Sequence, residues 1–178
     1  LSGTLEALQN GLADLALGVS AEISLPDIQT ATLGQMRLVF AVAPHHALAT
    51  VQHHLCDDDL RHHRAVAVAD STQRGNGQSF NILPGQDVLT VPTMQHKLEA
   101  QLRGLGCGFL PLPMAQPYIT AGHLVVMTTQ RPGHVIRVAY AWRRSRNATD
   151  TGRALRWWLD RLQHPTTRSA LLENHHLG

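Results

Sequence analysis

The stretch Met36-Arg37-Leu38-Val39-Phe40-Ala41-Val42-Ala43 decides the fold, because it is long, almost wholly apolar and closed by Pro44. Such a run predicts a buried β-strand. A second run of the same kind, Val135–Trp142, lies towards the other end of the chain. Helical and strand patterns alternate around both runs, which indicates an α/β fold. We therefore expect the two strands to cross between two lobes, lobe I being residues 1–43 with 138–178 and lobe II residues 44–137.

The composition sets limits on the class of protein. The chain has 178 residues, of which 43% are apolar and 16% charged, so it can form one domain or two small lobes and cannot be wholly disordered. The formal net charge of +2 is too weak and too scattered to indicate a nucleic-acid or anionic-membrane surface. No apolar run approaches the roughly 18–20 residues that span a bilayer. The first residues lack the pattern of a signal peptide, and two cysteines cannot form a disulfide framework, so we expect a cytoplasmic protein.

The N-terminal third predicts a helix that leads into a strand. Leu5, Leu8 and Leu12 recur at helical spacing, and Thr4 is placed to cap the start of this helix. Residues 13–19 are mostly apolar and predict a strand buried on both faces, which is typical of a parallel sheet with helical crossovers. Residues 20–35 are polar and predict turns.

The rest of the chain continues the alternation. Strands are predicted over 64–69, 88–91 and 122–127, and a Gly-capped turn into a short strand is predicted over 104–111. Helices are predicted over 55–60, 94–103, 114–121, 151–163 and 167–173. The adjacent Trp157 and Trp158 in one of these helices are expected in the core, with a subunit contact as the alternative.

The order of these motifs resembles the LysR-type transcriptional regulators. The strand that runs into Pro44-His45-His46-Ala47-Leu48-Ala49 is similar to the family's strand followed by PxHPLA, although Ala47 replaces the usual Pro. The segment Gly104-Leu105-Gly106-Cys107-Gly108-Phe109-Leu110-Pro111 after a helix is the other specific match. The turn at 121–125 is similar to the family's xDGxLV, with His123 as a departure. The similarity covers essentially the whole chain.

The resemblance implies a regulatory domain with the fold of a type 2 periplasmic binding protein, in which two lobes are joined by two crossover strands. It implies a small-molecule effector in the cleft, a hinge at Ala43, and a homodimer or tetramer without membrane contact. DNA would be contacted only through a winged helix-turn-helix domain. That domain, together with the first strand and helix of the effector domain, is expected upstream of this sequence in a longer protein.

In that fold, ligands bind where strands end and helices begin. The residues expected to bind the effector are Thr4, Ser71, Thr72, Pro92, Thr93 and Met94, with Gly108 on the wall of the cleft. A plain helix cap at Thr4 or Thr93, and a plain turn at Ser71-Thr72, are the alternatives. These segments carry hydroxyls, Met and Pro but no arginine clamp, which indicates a small polar or weakly acidic ligand, an aromatic one among the alternatives.

Other motifs indicate packing rather than chemistry. Gly104, Gly106 and Gly108 follow a helix, so they indicate a helix end and close backbone contact, not a dinucleotide fingerprint. Cys107 is expected to be a buried thiol, with redox sensing as the alternative.

The sequence predicts no metal site, no cofactor and no catalysis. The histidine pairs lack the spacing of metal ligands, and the best cluster consists of His53, His54, Cys56 and Asp57. The acidic run at 57–59 is explained by a helix start. No nucleophile elbow, Walker motif or carboxylate pair is present, so an enzyme is not expected. The alternative functions are a transporter's solute-binding protein and, third, an enzyme on the same bilobal fold.

Overall fold

The helices and strands are taken from a computed structural model, which describes residues 2–21, 25–69, 82–130, 134–144 and 152–173. The strands are β1 Leu15–Ser20, β2 Ile28–Val42, β3 Ala65–Val68, β4 Val88–Val91, β5 Gly108–Pro111, β6 Val125–Met127 and β7 Val135–Arg143. The helices are α1 Ser2–Gln9, α2 Asp57–Arg61, α3 Met94–Leu102, α4 Leu112–Thr120, α5 Arg153–Gln163 and α6 Pro165–Glu173, with a short 3-10 helix at Ala47–Thr50. None of the helices in these ranges is long and apolar enough to cross a membrane.

The chain divides into two compact units. Unit 1 comprises Leu1–Met36 and Val135–Gly178, and unit 2 comprises Arg37–His134. The lobe boundaries predicted at residues 43 and 137 lie a few residues further along the chain. Strand β2 supplies residues to both units.

Strand β1 of unit 1 departs from the sequence prediction in direction and in burial. It runs antiparallel to β7, from the pair Leu15 and Trp142 to the pair Ser20 and Val138. Only two of its side chains, Ala16 and Val19, are buried, and they pack with Leu8 of α1. The prediction of a parallel sheet here is therefore wrong, because β1 pairs antiparallel. The prediction of a strand buried on both faces is also wrong, because Leu17, Gly18 and Ser20 are exposed.

Strand β2 begins well before the predicted residue Met36. From Ile28 onwards, buried side chains such as Ile28 and Leu33 are separated by exposed threonines. A strand with one covered face carries polar residues on the other, so its sequence is easily taken for a loop. The prediction of turns is wrong over residues 28–35, whereas the fully apolar Leu38–Val42 is buried as expected.

Helix α5 packs on unit 1 through leucines and not through its tryptophans. Leu162 is fully buried with Leu33 and Tyr140, whereas Trp157 and Trp158 are 53% and 40% exposed. Their rings meet edge to face at 5.1 Å, and the Arg161 guanidinium lies 5.3 Å from the Trp157 ring. The prediction that both tryptophans are in the core is wrong, and the subunit contact stays a prediction.

Unit 2 contains the Gly-rich segment that the sequence singled out. Strand β5 pairs antiparallel with β2, from Leu38 opposite Pro111 to Ala41 opposite Gly108, and β6 pairs antiparallel with β2 as well. The predicted parallel arrangement occurs between β3 and β4. Helices α3 and α4 pack on β2 and β5 around Val39, Leu98 and Leu110.

The acidic run starts α2, as the sequence predicts. The Asp59 carboxylate accepts the backbone N–H of Cys56 at 2.8 Å and lies 3.0 Å from Nε2 of His53. These hydrogen bonds, that to the Cys56 backbone first, lower the pKa of Asp59 to about 2. Since the Asp59 carboxylate already binds the Cys56 N–H at the start of α2, the cluster of His53, Cys56 and Asp59 stabilises that helix start.

Candidate functional site

Thr93 caps the start of α3, as predicted. Its hydroxyl oxygen accepts the backbone N–H of His96 at 3.2 Å and lies 2.7 Å from Nδ1 of the same residue. Pro92 before it is exposed, and Met94 after it packs against the core of unit 2. The Thr93 side chain is itself exposed, so the start of this helix is accessible.

Lys97 and Gln101 follow Thr93 on successive turns of α3, because residues four apart share a helix face. Gln101 has no exposed surface, and neither its Nε2 nor its Oε1 has a hydrogen-bond partner in the described part of the chain. A buried amide without a partner costs roughly 1–3 kcal/mol. Neither residue was predicted from the sequence. The sequence gives only a weak signal, because Lys97 is the only lysine of the chain and precedes Gln101 by one turn.

Gly108 at the start of β5 brings the two side chains to one place. A Cβ atom at this residue would lie 3.0 Å from Nε2 of Gln101 and 3.3 Å from Nζ of Lys97. Its φ of +155° is one that residues with side chains rarely adopt. Glycine therefore leaves bare backbone opposite an amide and an ammonium group, and the predicted wall residue Gly108 adjoins polar groups able to bind a ligand.

Burial controls the ionisation of this cluster. Desolvation lowers the pKa of Lys97 to about 8 and raises the pKa of Cys107 to about 12. The Cys107 thiol is buried, as predicted, and donates to the carbonyl of Arg64 at 3.4 Å. A thiol with so high a pKa is not a thiolate at neutral pH, which disfavours the redox-sensing alternative.

The remaining predicted residues lie away from α3 and β5 or outside the described residues. Thr4 is the third residue of α1, which already begins at Ser2, so the prediction that Thr4 caps this helix is wrong. Thr4 belongs to unit 1 and is exposed. Ser71 and Thr72 lie outside the described residues. Ala43 is fully buried directly after β2, and its carbonyl accepts the His46 N–H at 3.0 Å. Its role as a hinge stays a prediction.

A surface depression of about 380 Å³ in unit 2 is a poorer candidate. It is lined by Pro44, His45, Leu102, Tyr118, Gly122 and His123, and four of these six residues are exposed. None of the residues predicted to bind the effector lines it. Nε2 of His45 lies 3.4 Å from the carbonyl of Arg103. The depression is thus mostly open surface, whereas the groups around Gly108 are desolvated.

Metal-ligating side chains are not gathered in unit 1 or unit 2 within the described ranges. No group of three or more His, Cys, Asp or Glu residues there is placed to hold a metal ion. Of the cluster that the sequence offered, His53 and His54 are exposed, and His53 pairs with Asp59.

Comparison with known proteins gives consistent matches. The family model for the LysR substrate binding domain matches residues 2–165. The uncharacterized HTH-type transcriptional regulator YeeY of Escherichia coli (strain K12) is 34% identical over 163 residues, which cover 91% of this chain and 52% of that protein. The chain spans about half the length of the curated relatives it matches.

Solved structures share the fold. The regulatory domain of NMB2055 (MetR), a LysR family regulator from N. meningitidis, superposes with a TM-score of 0.67 at 18% identity, covering 95% of this chain and 76% of that one. Full-length LysG from Corynebacterium glutamicum with bound effector Arg gives a TM-score of 0.63 at 22% identity, covering 89% of this chain and 52% of that one.

Proposed function

The chain belongs to the LysR substrate-binding domain family, and we propose on that premise that it senses a small-molecule effector for a DNA-binding transcriptional regulator. The relatives reported above are regulators, which favours sensing over transport or catalysis. The observation that carries the proposal is the Gln101 amide, fully buried and without a partner in the described residues, beside the bare backbone of Gly108. Buried polar groups are normally paired, so an unpaired one beside a glycine points to a ligand.

The site would include the start of α3, with Pro92, Thr93 and Met94, and Gly108 on β5. Thr4, Ser71 and Thr72 complete the set proposed from the sequence. The effector would act by shifting a population, because a ligand changes a conformational equilibrium only through its different affinities for the two states. Couplings of this kind are commonly about 1–3 kcal/mol.

The intact regulator would act in the cytoplasm as a homodimer or tetramer and contact DNA through a helix-turn-helix domain. The 178 residues carry a formal net charge of only +2, so this chain by itself should not bind operator DNA.

Replacing Thr93 by valine tests the proposed site. Thr93→Val removes the hydrogen bond to the His96 N–H and should lower the unfolding free energy by about 1 kcal/mol. It should also reduce the melting-temperature shift produced by any metabolite that stabilises the parent protein in a thermal-shift screen.

Thr90→Val is the matched control, since Thr90 is exposed on the neighbouring strand β4. This variant should respond to the metabolite as the parent does. An identical response from Thr93→Val would show that the ligand does not use the start of α3. A broad metabolite screen without any stabilising compound would contradict the sensing function itself.

A further inference from the structure

We propose that the effector carries a carboxylate, which binds the Lys97 ammonium and the Gln101 amide over the backbone of Gly108. This inference rests on the proposed sensing function and adds the chemical class of the ligand and two ligand-binding residues. It concerns α3 and β5 of unit 2 alone.

The Lys97 ammonium has no counter-ion among the described residues. Lys97 is the only lysine among 15 cationic side chains, and it is largely withdrawn from solvent. No acidic group lies within ion-pair distance of it in the described residues, whereas Arg64 of the same unit pairs with Asp87 at 2.7 Å. Desolvation by burial lowers the pKa of Lys97 to about 8, although the neighbouring Cys107 thiol acts to raise it. A desolvated ammonium without a counter-ion is unfavourable. A bound anion would supply the missing charge.

The Gln101 amide offers donors to the same ligand. Gln101 has two N–H donors and a carbonyl oxygen, and its buried amide atoms have no partner among the described residues. A carboxylate oxygen accepts strongly from such donors. The same ligand that neutralises Lys97 would therefore satisfy Gln101.

The two side chains converge on Gly108. The Nε2 of Gln101 and the Nζ of Lys97 both lie within 3.3 Å of the point where a side chain would begin at Gly108. Both nitrogens therefore face the same stretch of bare backbone, where one carboxylate could contact them together. A larger residue at position 108 would push them away from this backbone.

The charge of the cluster favours a carboxylate over a phosphate. One ammonium and one neutral amide match a single negative charge. A phosphate monoester carries about −1.5 to −2 and is usually held by several cationic or backbone donors.

The unique lysine makes the proposal testable by NMR, since ¹³C-labelled lysine gives one side-chain signal. The titration of Lys97 is followed in sodium chloride, sodium acetate and sodium phosphate at equal ionic strength, with acetamide as the neutral counterpart of acetate. Acetate should raise the pKa of Lys97 by at least about 1, because an opposite charge in contact stabilises the ammonium form. Acetamide should leave it at the value in chloride. Equal titration in acetate and chloride would overturn the proposal, and a larger effect of phosphate would overturn the choice of carboxylate.

Two glutamine variants on the same helix provide a matched pair. Gln101→Leu should weaken acetate binding roughly 10-fold, as the loss of a hydrogen bond to a charged group does. Gln95→Leu makes the same chemical change at an exposed position of α3, and Lys97 in this variant should titrate in acetate as it does in the parent. Unchanged acetate binding by Gln101→Leu would show that the Gln101 amide does not contact the carboxylate.

The metabolite screen separates the failure of this inference from that of sensing. A stabilising metabolite that shifts the melting temperature of Lys97→Met and of the parent equally would overturn the carboxylate inference and leave the sensing function in place. A carboxylate metabolite whose effect is lost in Lys97→Met would support both.

Discussion

Gly106→Ala is expected to lower the unfolding free energy by roughly 3 kcal/mol, one of the two largest effects predicted for a single substitution in this chain. The added Cβ would lie 2.5 Å from the carbonyl oxygen of Arg64 and 2.9 Å from Cγ2 of Val66. That carbonyl cannot move freely, because it accepts the Cys107 N–H at 2.9 Å while the Cys107 carbonyl accepts the Val66 N–H at 2.9 Å. The methyl group would therefore separate two backbone segments that hold β3 beside Cys107.

Denaturant unfolding of the parent and the variant measures this cost, and a loss of about 3 kcal/mol corresponds to a fall in melting temperature of roughly 6–12 °C for a chain of this size. Gly152→Ala is the control, since no atom of the described residues lies within 4 Å of the Cβ position there. It should change stability by less than about 1 kcal/mol, the usual range for a helix cap. Similar values for the two variants would show that the contact of Gly106 with β3 is not tight.

Most local signals in the sequence predicted the structure correctly, although the cap expected at Thr4 was wrong. The cap at Thr93, the acidic start of α2 and the helix end at Gly104 each follow from a few adjacent side chains or from one positive φ angle. The apolar part of β2, Leu38–Val42, is buried for an equally direct reason. Family resemblance on two short segments then sufficed to predict the fold.

Features that depend on partners distant in sequence were not predictable in the same way. The direction of β1 is set by its antiparallel pairing with β7, more than a hundred residues later. The exposure of Trp157 follows from which face of α5 is covered, and the leucines of that helix provide a sufficient apolar face without it. Composition alone favours burial of a tryptophan, so the packing partners had to be known.

The site shows the same division. Thr93 and Gly108 were predicted, the first from its position before a helix and the second from the family resemblance. Lys97 and Gln101 were not, because a polar pair on a helix is usually solvated. Their place in the proposed site follows from tertiary burial that leaves the Gln101 amide without a partner among the described residues and lowers the pKa of Lys97 to about 8.

Lys97→Met is expected to raise the unfolding free energy of the ligand-free protein at pH 7 by roughly 3 kcal/mol, while abolishing its response to carboxylates. The pKa of Lys97 falls from 10.5 to about 8 because burial disfavours the ammonium form. At pH 7 both the folded and the unfolded chains carry the charge, and the folded chain bears the cost of desolvating it. Methionine keeps the apolar stem and removes that cost. The same lysine therefore lowers the stability of the ligand-free protein and is needed for binding the carboxylate.

The difference in unfolding free energy between Lys97→Met and the parent should change with pH, and the direction of the change tests the prediction. Between pH 8 and 10.5 the unfolded parent holds a proton on Lys97 that the folded parent has released, so the stability of the parent rises with pH and the advantage of Lys97→Met disappears. Cys107 acts in the opposite direction, because its pKa rises from 9.0 to about 12 on folding. The stability that the neutral thiol contributes below pH 9 is therefore lost as the pH increases above 9. Because Lys97 and Cys107 shift each other's pKa, both proteins carry Cys107→Ala, so that the difference between their unfolding curves at each pH isolates the lysine. A difference that stays constant from pH 7 to pH 10 would mean that Lys97 is solvated, and its ammonium would then have no need of a carboxylate partner.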